Sequence, residues 1–211
     1  KFDGGIQISA SHNPKEYIGL KIVMYSPQGL IKIGKTTGME EVKKLSLESW
    51  ELLESAGGSS SNDFDILSSE VENAIKIAGS PEIKEFKIVA DAANSMGATY
   101  IDALMKKIPG ELIRMNFGLD GSFPAHQPDP LNPENLVDLQ KRVREERANV
   151  GFAPDGDGDR FFFIDERGEI VPPSIITSLV AREILQKNKG GMILFDIRYI
   201  FNPSRIVEEN S

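Results

Sequence analysis

The chain has no cysteine. Disulfides and thiolate metal sites are thereby excluded, and a metal, if one binds, must be held by oxygen or imidazole donors. Imidazole is scarce too, with two histidines among 211 residues. No apolar run approaches the roughly 18 residues that a membrane-crossing helix requires, so no membrane partner is expected. Positive charge is in deficit: 24 Lys and Arg stand against 32 Asp and Glu, a net charge of −8. Affinity for a phosphate backbone needs clustered Lys and Arg, so a general nucleic-acid binder is excluded. No charged-then-apolar leader opens the chain, and Lys1 is not an initiator methionine, which reads as an internal piece of a longer protein with a cytoplasmic location.

What is present is ordinary for a globular protein with a real core: 40% hydrophobic and 27% charged residues. The length suits one large or two small domains. Two short stretches carry the chemistry. Ser9-Ala10-Ser11-His12-Asn13-Pro14 is a hydroxyl-rich turn leaving an apolar run, and Asp155-Gly156-Asp157-Gly158-Asp159-Arg160 sets three carboxylates at alternate positions. Such concentrated negative charge is costly unless a cation sits among the carboxylates. Together they suggest a serine that carries a phosphoryl group and a divalent metal that neutralises it. Each motif has a plainer reading. Ser, Asn and Pro are common turn residues, and an acidic Gly-rich turn can stand without metal. Asp-x-Asp-x-Asp also opens an EF-hand loop, with Glu166 at the twelfth position, but the sixth is Arg160 where that loop needs glycine.

Periodicity organises the rest. Residues 4–9 and 20–24 read as strands, with a turn around Pro27. Residues 38–55 read as helix with a break near Ser46. The stretch 57–64, rich in Gly and Ser, is a linker by composition. Beyond it helix and strand alternate: helix 66–78, strand 86–90, helix 96–108, strand 112–117, helix 133–146, strand 150–153, strand 161–165, helix 173–186 and strand 192–195. This alternation predicts an α/β fold whose sheets are mixed and partly parallel, with helices on their faces. In such folds ligands sit outside the carboxyl ends of the strands, where the acidic loop falls.

The segments Gly5-Ile6-Gln7-Ile8-Ser9-Ala10-Ser11-His12-Asn13-Pro14, Gly19-Leu20-Lys21 and Asp155 to Arg160 resemble the α-D-phosphohexomutases. Asp120-Gly121-Ser122-Phe123-Pro124-Ala125-His126-Gln127-Pro128-Asp129-Pro130, with Pro133-Glu134-Asn135-Leu136 after it, is similar to the phosphomannomutase/phosphoglucomutase branch. The resemblance implies successive similar domains, incomplete at both ends here. Residues 1–56 match the end of a first domain, 65–160 a second ending in the metal loop, and 161–211 the opening of a third.

It further implies a Mg²⁺-dependent enzyme that interconverts hexose 1-phosphate and hexose 6-phosphate, of mannose or glucose, through a hexose 1,6-bisphosphate. Ser11 would be the phosphoserine and, with Asp155, Asp157 and Asp159, a metal ligand. Lys21 would be the general acid/base, a task calling for a pKa lowered by Arg160 against the opposing aspartates. Arg160 would bridge phosphate oxygens, His12 would bond phosphate or orient the loop, and Arg198 would lie near the substrate. His126 reads as structural. The family commonly has Asn where Ile18 stands, so a side chain able to brace the loop is missing. A non-catalytic metal-binding or sugar-phosphate-binding module of the same fold is the alternative.

Overall fold

A computed structural model describes residues 2–48, 58–62, 66–197 and 200–210. The chain builds two sheets. The first is an antiparallel meander of β1 (Gly4–Ile8), β2 (Leu20–Ser26) and β3 (Gly29–Lys32). β1 and β2 pair from Gly4↔Met24 to Ile8↔Leu20, so the loop carrying Ser11 projects from one end of the hairpin. The turn expected at Pro27 joins β2 to β3; the Ser26 hydroxyl donates to Gly29 O at 2.8 Å and accepts from Gln28 N at 3.2 Å. A single π-type turn, Lys35–Met39, then leads into α1 (Glu40–Ser46). The helix ends where the break was expected, and the remainder of that expected span, 49–55, lies outside the described residues.

The second sheet has the order β5-β4-β6-β7-β8, from β4 (Lys87–Asp91), β5 (Glu111–Met115), β6 (Val150–Pro154), β7 (Phe161–Ile164) and β8 (Ile170–Val171). β4 runs parallel to both β5 and β6, and β7 and β8 follow antiparallel. Central position explains the run Ile88-Val89-Ala90, which is apolar without alternation and buried throughout: a parallel strand covered on both faces has no solvent side to keep polar. α2 (Ile66–Ile77), α3 (Gly97–Met105) and α4 (Val137–Glu146) flank the sheet unit. A 3₁₀ turn, Pro133–Leu136, opens α4, with the Asn132 side chain accepting from Glu134 N at 3.2 Å.

Leu136, Leu139 and Val143 lie three and four residues apart on one helical face. They enter the main core with Val89, Ala148, Ala153 and Ile164. The sheet does not stop at Arg160: β7 hydrogen-bonds to β6 and β8 to β7, and the chain then passes to α5 (Pro173–Lys187) and α6 (Phe201–Asn210), which pack on each other. Residues 192–195, expected as a strand, carry no strand pairing and leave Met192 and Leu194 exposed. Among the described residues no helix is long and apolar enough to cross a membrane.

β4 sends the chain to β5 on one side and pairs with the later β6 on the other. The loops leaving β4 and β6 therefore diverge from a switch point, which opens a crevice at their carboxyl ends. Asp91 ends β4 at that crevice, and Asp155 follows the last residue of β6.

Candidate active site

The loop between β1 and β2 is held by its own backbone. Ser9 N donates to Gly19 O at 2.9 Å, Asn13 donates to Ala10 O through both N (3.1 Å) and Nδ2 (2.7 Å), and Tyr17 N donates to Pro14 O at 3.0 Å. Ile18, at the position where the family commonly has Asn, is 85% exposed. At the apex Ser11 takes φ = 57°, left-handed for a residue with a Cβ. Such a conformation costs on the order of 1 kcal/mol and persists only where its surroundings over-determine it. Here Ser11 N donates to Ser9 Oγ at 2.9 Å, and Ser11 Oγ donates to Asp155 Oδ2 at 3.0 Å.

The acidic loop is a tight turn between β6 and β7. Asp155 N donates to Arg160 O at 3.0 Å, Gly158 N to Asp155 O at 3.1 Å, and Arg160 N to Asp155 Oδ1 at 3.2 Å. Two glycines make it possible for different reasons. Gly158 has φ = +74°, and a Cβ on Gly156 would lie 2.1 Å from the Ser11 carbonyl oxygen. Gly158 thus supplies the curl, whereas Gly156 lets the serine loop approach, a reason distinct from the convergence expected of both. Carboxylate oxygens of Asp155, Asp157 and Asp159 lie within 4.8 Å of one another. Glu166 is not among them; it lies against Arg167 at 3.7 Å, and strands flank the loop. The EF-hand reading is therefore excluded.

The cations at the site belong to this cluster. Lys21 Nζ lies 2.7 Å from Asp157 Oδ2 and 3.2 Å from Asp159 Oδ2. Its pKa is raised, first by the hydrogen bond to Asp157 and then by that to Asp159. The expected lowering by Arg160 is thus corrected: Arg160 is turned to Asp155, and the carboxylates facing Lys21 decide the direction. Burial pushes the Asp157 carboxyl up, but hydrogen bonds from Lys21 and Ser9 outweigh it, and the net shift is downward. Arg160 clamps Asp155 through Nη2 (2.6 Å) and Nε (2.9 Å), and Nη2 also donates to Ser11 Oγ and His12 Nδ1.

Of the expected site residues, Ser11, His12, Lys21, Asp155, Asp157, Asp159 and Arg160 meet within this one constellation. Arg198 lies outside the described residues. Ser9 was not anticipated; its hydroxyl donates to Asp157 Oδ2 at 2.6 Å. Beside them a cleft of about 550 Å³ opens, lined by Ser9, Ser11, Ile18, Tyr100, Phe123 and Asp157.

The donor set fits a hard divalent cation such as Mg²⁺. It offers carboxylate oxygens alone, and Asp157 Oδ1 is buried with no hydrogen-bond partner. An orphaned buried carboxylate oxygen is costly unless a cation or donor meets it.

Residues 68–168 match the family model described as phosphoglucomutase/phosphomannomutase, alpha/beta/alpha domain II, and residues 1–44 match domain I of that family. A phosphomannomutase of Vibrio cholerae is 34% identical over 99% of this chain and 45% of its own length. A phosphomannomutase/phosphoglucomutase of Pseudomonas putida is 32% identical over 98% of the chain and 42% of its own length. The crystal structure of a phosphoglucomutase/phosphomannomutase family protein from Burkholderia thailandensis superposes with a TM-score of 0.80 at 30% identity, over 100% of this chain and 44% of that one. The chain thus spans less than half the length of these relatives.

Proposed function

The chain belongs to the phosphoglucomutase/phosphomannomutase family, and from that premise we propose that it carries the nucleophile and metal loop of a phosphohexomutase. In this reading Ser11 gives and takes the phosphoryl group that moves between the 1- and 6-hydroxyls of a hexose phosphate. One observation carries it: Ser11 Oγ lies 3.0 Å from Asp155 Oδ2, across 144 residues of sequence. A merely solvated turn has no reason to place its strained residue there.

The chain's own groups then take these parts. Arg160 donates to Ser11 Oγ and to Asp155, so its guanidinium already stands where the oxygens of a phosphoryl group on Ser11 would be met. Lys21 Nζ, an ammonium donor, lies 2.7 Å from Asp157 and 3.2 Å from Asp159 at the edge of the acidic loop. As Ser11 Oγ attacks phosphorus, the P–O bond to the sugar breaks; the Ser11 proton passes to the Asp155 carboxylate that already accepts it, and the departing sugar oxygen takes a proton from Lys21. Asp155, Asp157 and Asp159 would hold Mg²⁺, which when bound offsets the negative charge that transfer spreads over the phosphoryl oxygens. His12, turned to Arg160 through Nδ1, orients that guanidinium.

Incubating the protein with glucose or mannose 1,6-bisphosphate and Mg²⁺, then mapping phosphopeptides, tests the reading. Label is expected on Ser11, and Ser11→Ala should abolish it while leaving the fold intact, because the change removes one hydroxyl at a loop apex. Label on Ser9, or none at all, overturns the assignment.

A further inference from the structure

The serine loop is strained at Ser11, and its internal bonds do not fix where it sits on the second sheet. Besides the side-chain bonds to Asp155, Asp157, Asp159 and Arg160, its backbone is held on that sheet by Gln127. Asp91, ending β4 at the switch point, is 2% exposed. Its Oδ1 accepts from Ala93 N at 3.0 Å and from Asn116 Nδ2 at 2.9 Å, and its Oδ2 faces His126 Nε2 at 3.1 Å. The other ring nitrogen, Nδ1, faces the Gln127 carbonyl at 2.9 Å. A carbonyl and a carboxylate only accept, so the imidazolium, with a proton on each nitrogen, satisfies both contacts. The His126 pKa is raised in agreement, chiefly by the Asp91 hydrogen bond, which outweighs burial. The Gln127 carbonyl also accepts from Asn135 Nδ2 at 3.1 Å and Asp129 N at 2.8 Å.

Gln127 is thus fixed through its backbone, and its side chain reaches the serine loop: Nε2 donates to His12 O at 2.7 Å, across 115 residues of sequence. The preceding carbonyl, that of Ser11, rests on Gly156. Pro128, buried, is in contact range of the same glycine, 3.4 Å from where its Cβ would be. Two successive carbonyls of the strained turn are therefore held by the second-sheet unit. We propose that Gln127, anchored by the Asp91–His126 pair, is a positioning residue that sets the distance of Ser11 from the acidic loop. For transfer this rests on the phosphohexomutase reading; for loop geometry it stands alone. A nucleophile displaced by 1 Å loses on the order of a hundredfold in rate, so a residue far from the reacting atoms can matter to it.

The test compares the full 211-residue chain with Gln127→Glu, which keeps the size but removes the N–H donor, and Gln127→Lys, which keeps a donor. Gln127 is solvent-exposed, so both variants should fold, and an unchanged thermal midpoint confirms it. Hydrogen exchange across residues 9–19 should speed up about tenfold in Gln127→Glu, as expected for one lost hydrogen bond, and stay near wild type in Gln127→Lys. Exchange in β4 and β6 should not change. Single-turnover phosphorylation by glucose 1,6-bisphosphate should slow about tenfold in Gln127→Glu at saturating ligand. The half-saturating concentration and Mg²⁺ affinity should hold. If the wild type takes no label, the phosphohexomutase reading fails and loop exchange alone decides the positioning role. Wild-type exchange in Gln127→Glu, or equal losses in both variants, overturns it.

Discussion

At Ser9 one hydroxyl meets two demands, accepting from the amide of Ser11 at 2.9 Å and donating to Asp157 Oδ2 at 2.6 Å. The first helps hold Ser11 in its left-handed conformation; the second, with Lys21, orients a carboxylate whose other oxygen is buried and unpartnered. Ser9→Ala should therefore slow phosphorylation of Ser11 about tenfold, the effect of losing one charge-assisted hydrogen bond. Ser9→Thr, which keeps the hydroxyl, should stay within about threefold of wild type, a difference below 1 kcal/mol by the usual rate arithmetic. Time-resolved phosphopeptide mapping reads both. The residues legible in the sequence were those whose chemistry is local: Ser11, and the three aspartates at alternate positions. Ser9, Asp91 and Gln127 were not legible as site residues, because their partners lie 148, 35 and 115 positions away. Lys21 lies beside Asp157 and Asp159, and the direction of its pKa depends on which charges it faces, which only the fold decides.

Helix α4 shows how an element positions a loop it does not contain. Leu139 and Val143 are fully buried against Val89, Ala153 and Ile164, so the helix fixes β4, β6 and β7 together, and with them both ends of the acidic turn. Leu139→Ala removes a fully buried side chain and should cost about 2–5 kcal/mol in denaturant unfolding, through lost transfer energy and the cavity left behind. A cost below about 1 kcal/mol would mean the site collapses freely and the helix is not a fixed support. Periodicity located most of these elements because each buries one continuous face. It failed where neighbours decide. The apolar run 192–195 reads as a strand, yet a strand needs an edge to pair with, and none among the described residues meets it. No element was expected over 201–210, where α6 forms; its Pro203 sits in the first turn, where a missing N–H and fixed φ are tolerated. β3, with four residues, is too short for periodicity to register and exists because β2 offers it a partner.

For the molecule as a whole, charge and surface set what these 211 residues can do alone. With a net charge of −8 and three converging aspartates, the site draws a divalent cation first, and meets an anionic sugar bisphosphate once that cation offsets the carboxylates. The two cations in the constellation, Lys21 and Arg160, are both engaged on its carboxylates. Under the proposed function a bisphosphorylated sugar would also have to be gripped at its distal phosphate while the two ends exchange places, which needs a second basic cradle opposite Ser11 and walls that exclude water. The first sheet offers no such enclosure: of its strand residues only Ser26 is buried, and Ile6, Ile8, Leu20 and Leu30 are each more than half exposed. Mg²⁺ titration of the purified 211-residue chain should therefore show saturable binding that Asp157→Asn weakens about tenfold or more, as expected on losing one charged ligand. In a coupled assay the same chain should turn over hexose 1-phosphate at least about a thousandfold more slowly than an intact phosphohexomutase, because without a closed cleft the bound intermediate loses the positioning that enclosure provides. Turnover comparable to the intact enzyme would show that Ser11, Lys21, Arg160 and the metal loop suffice for the whole cycle.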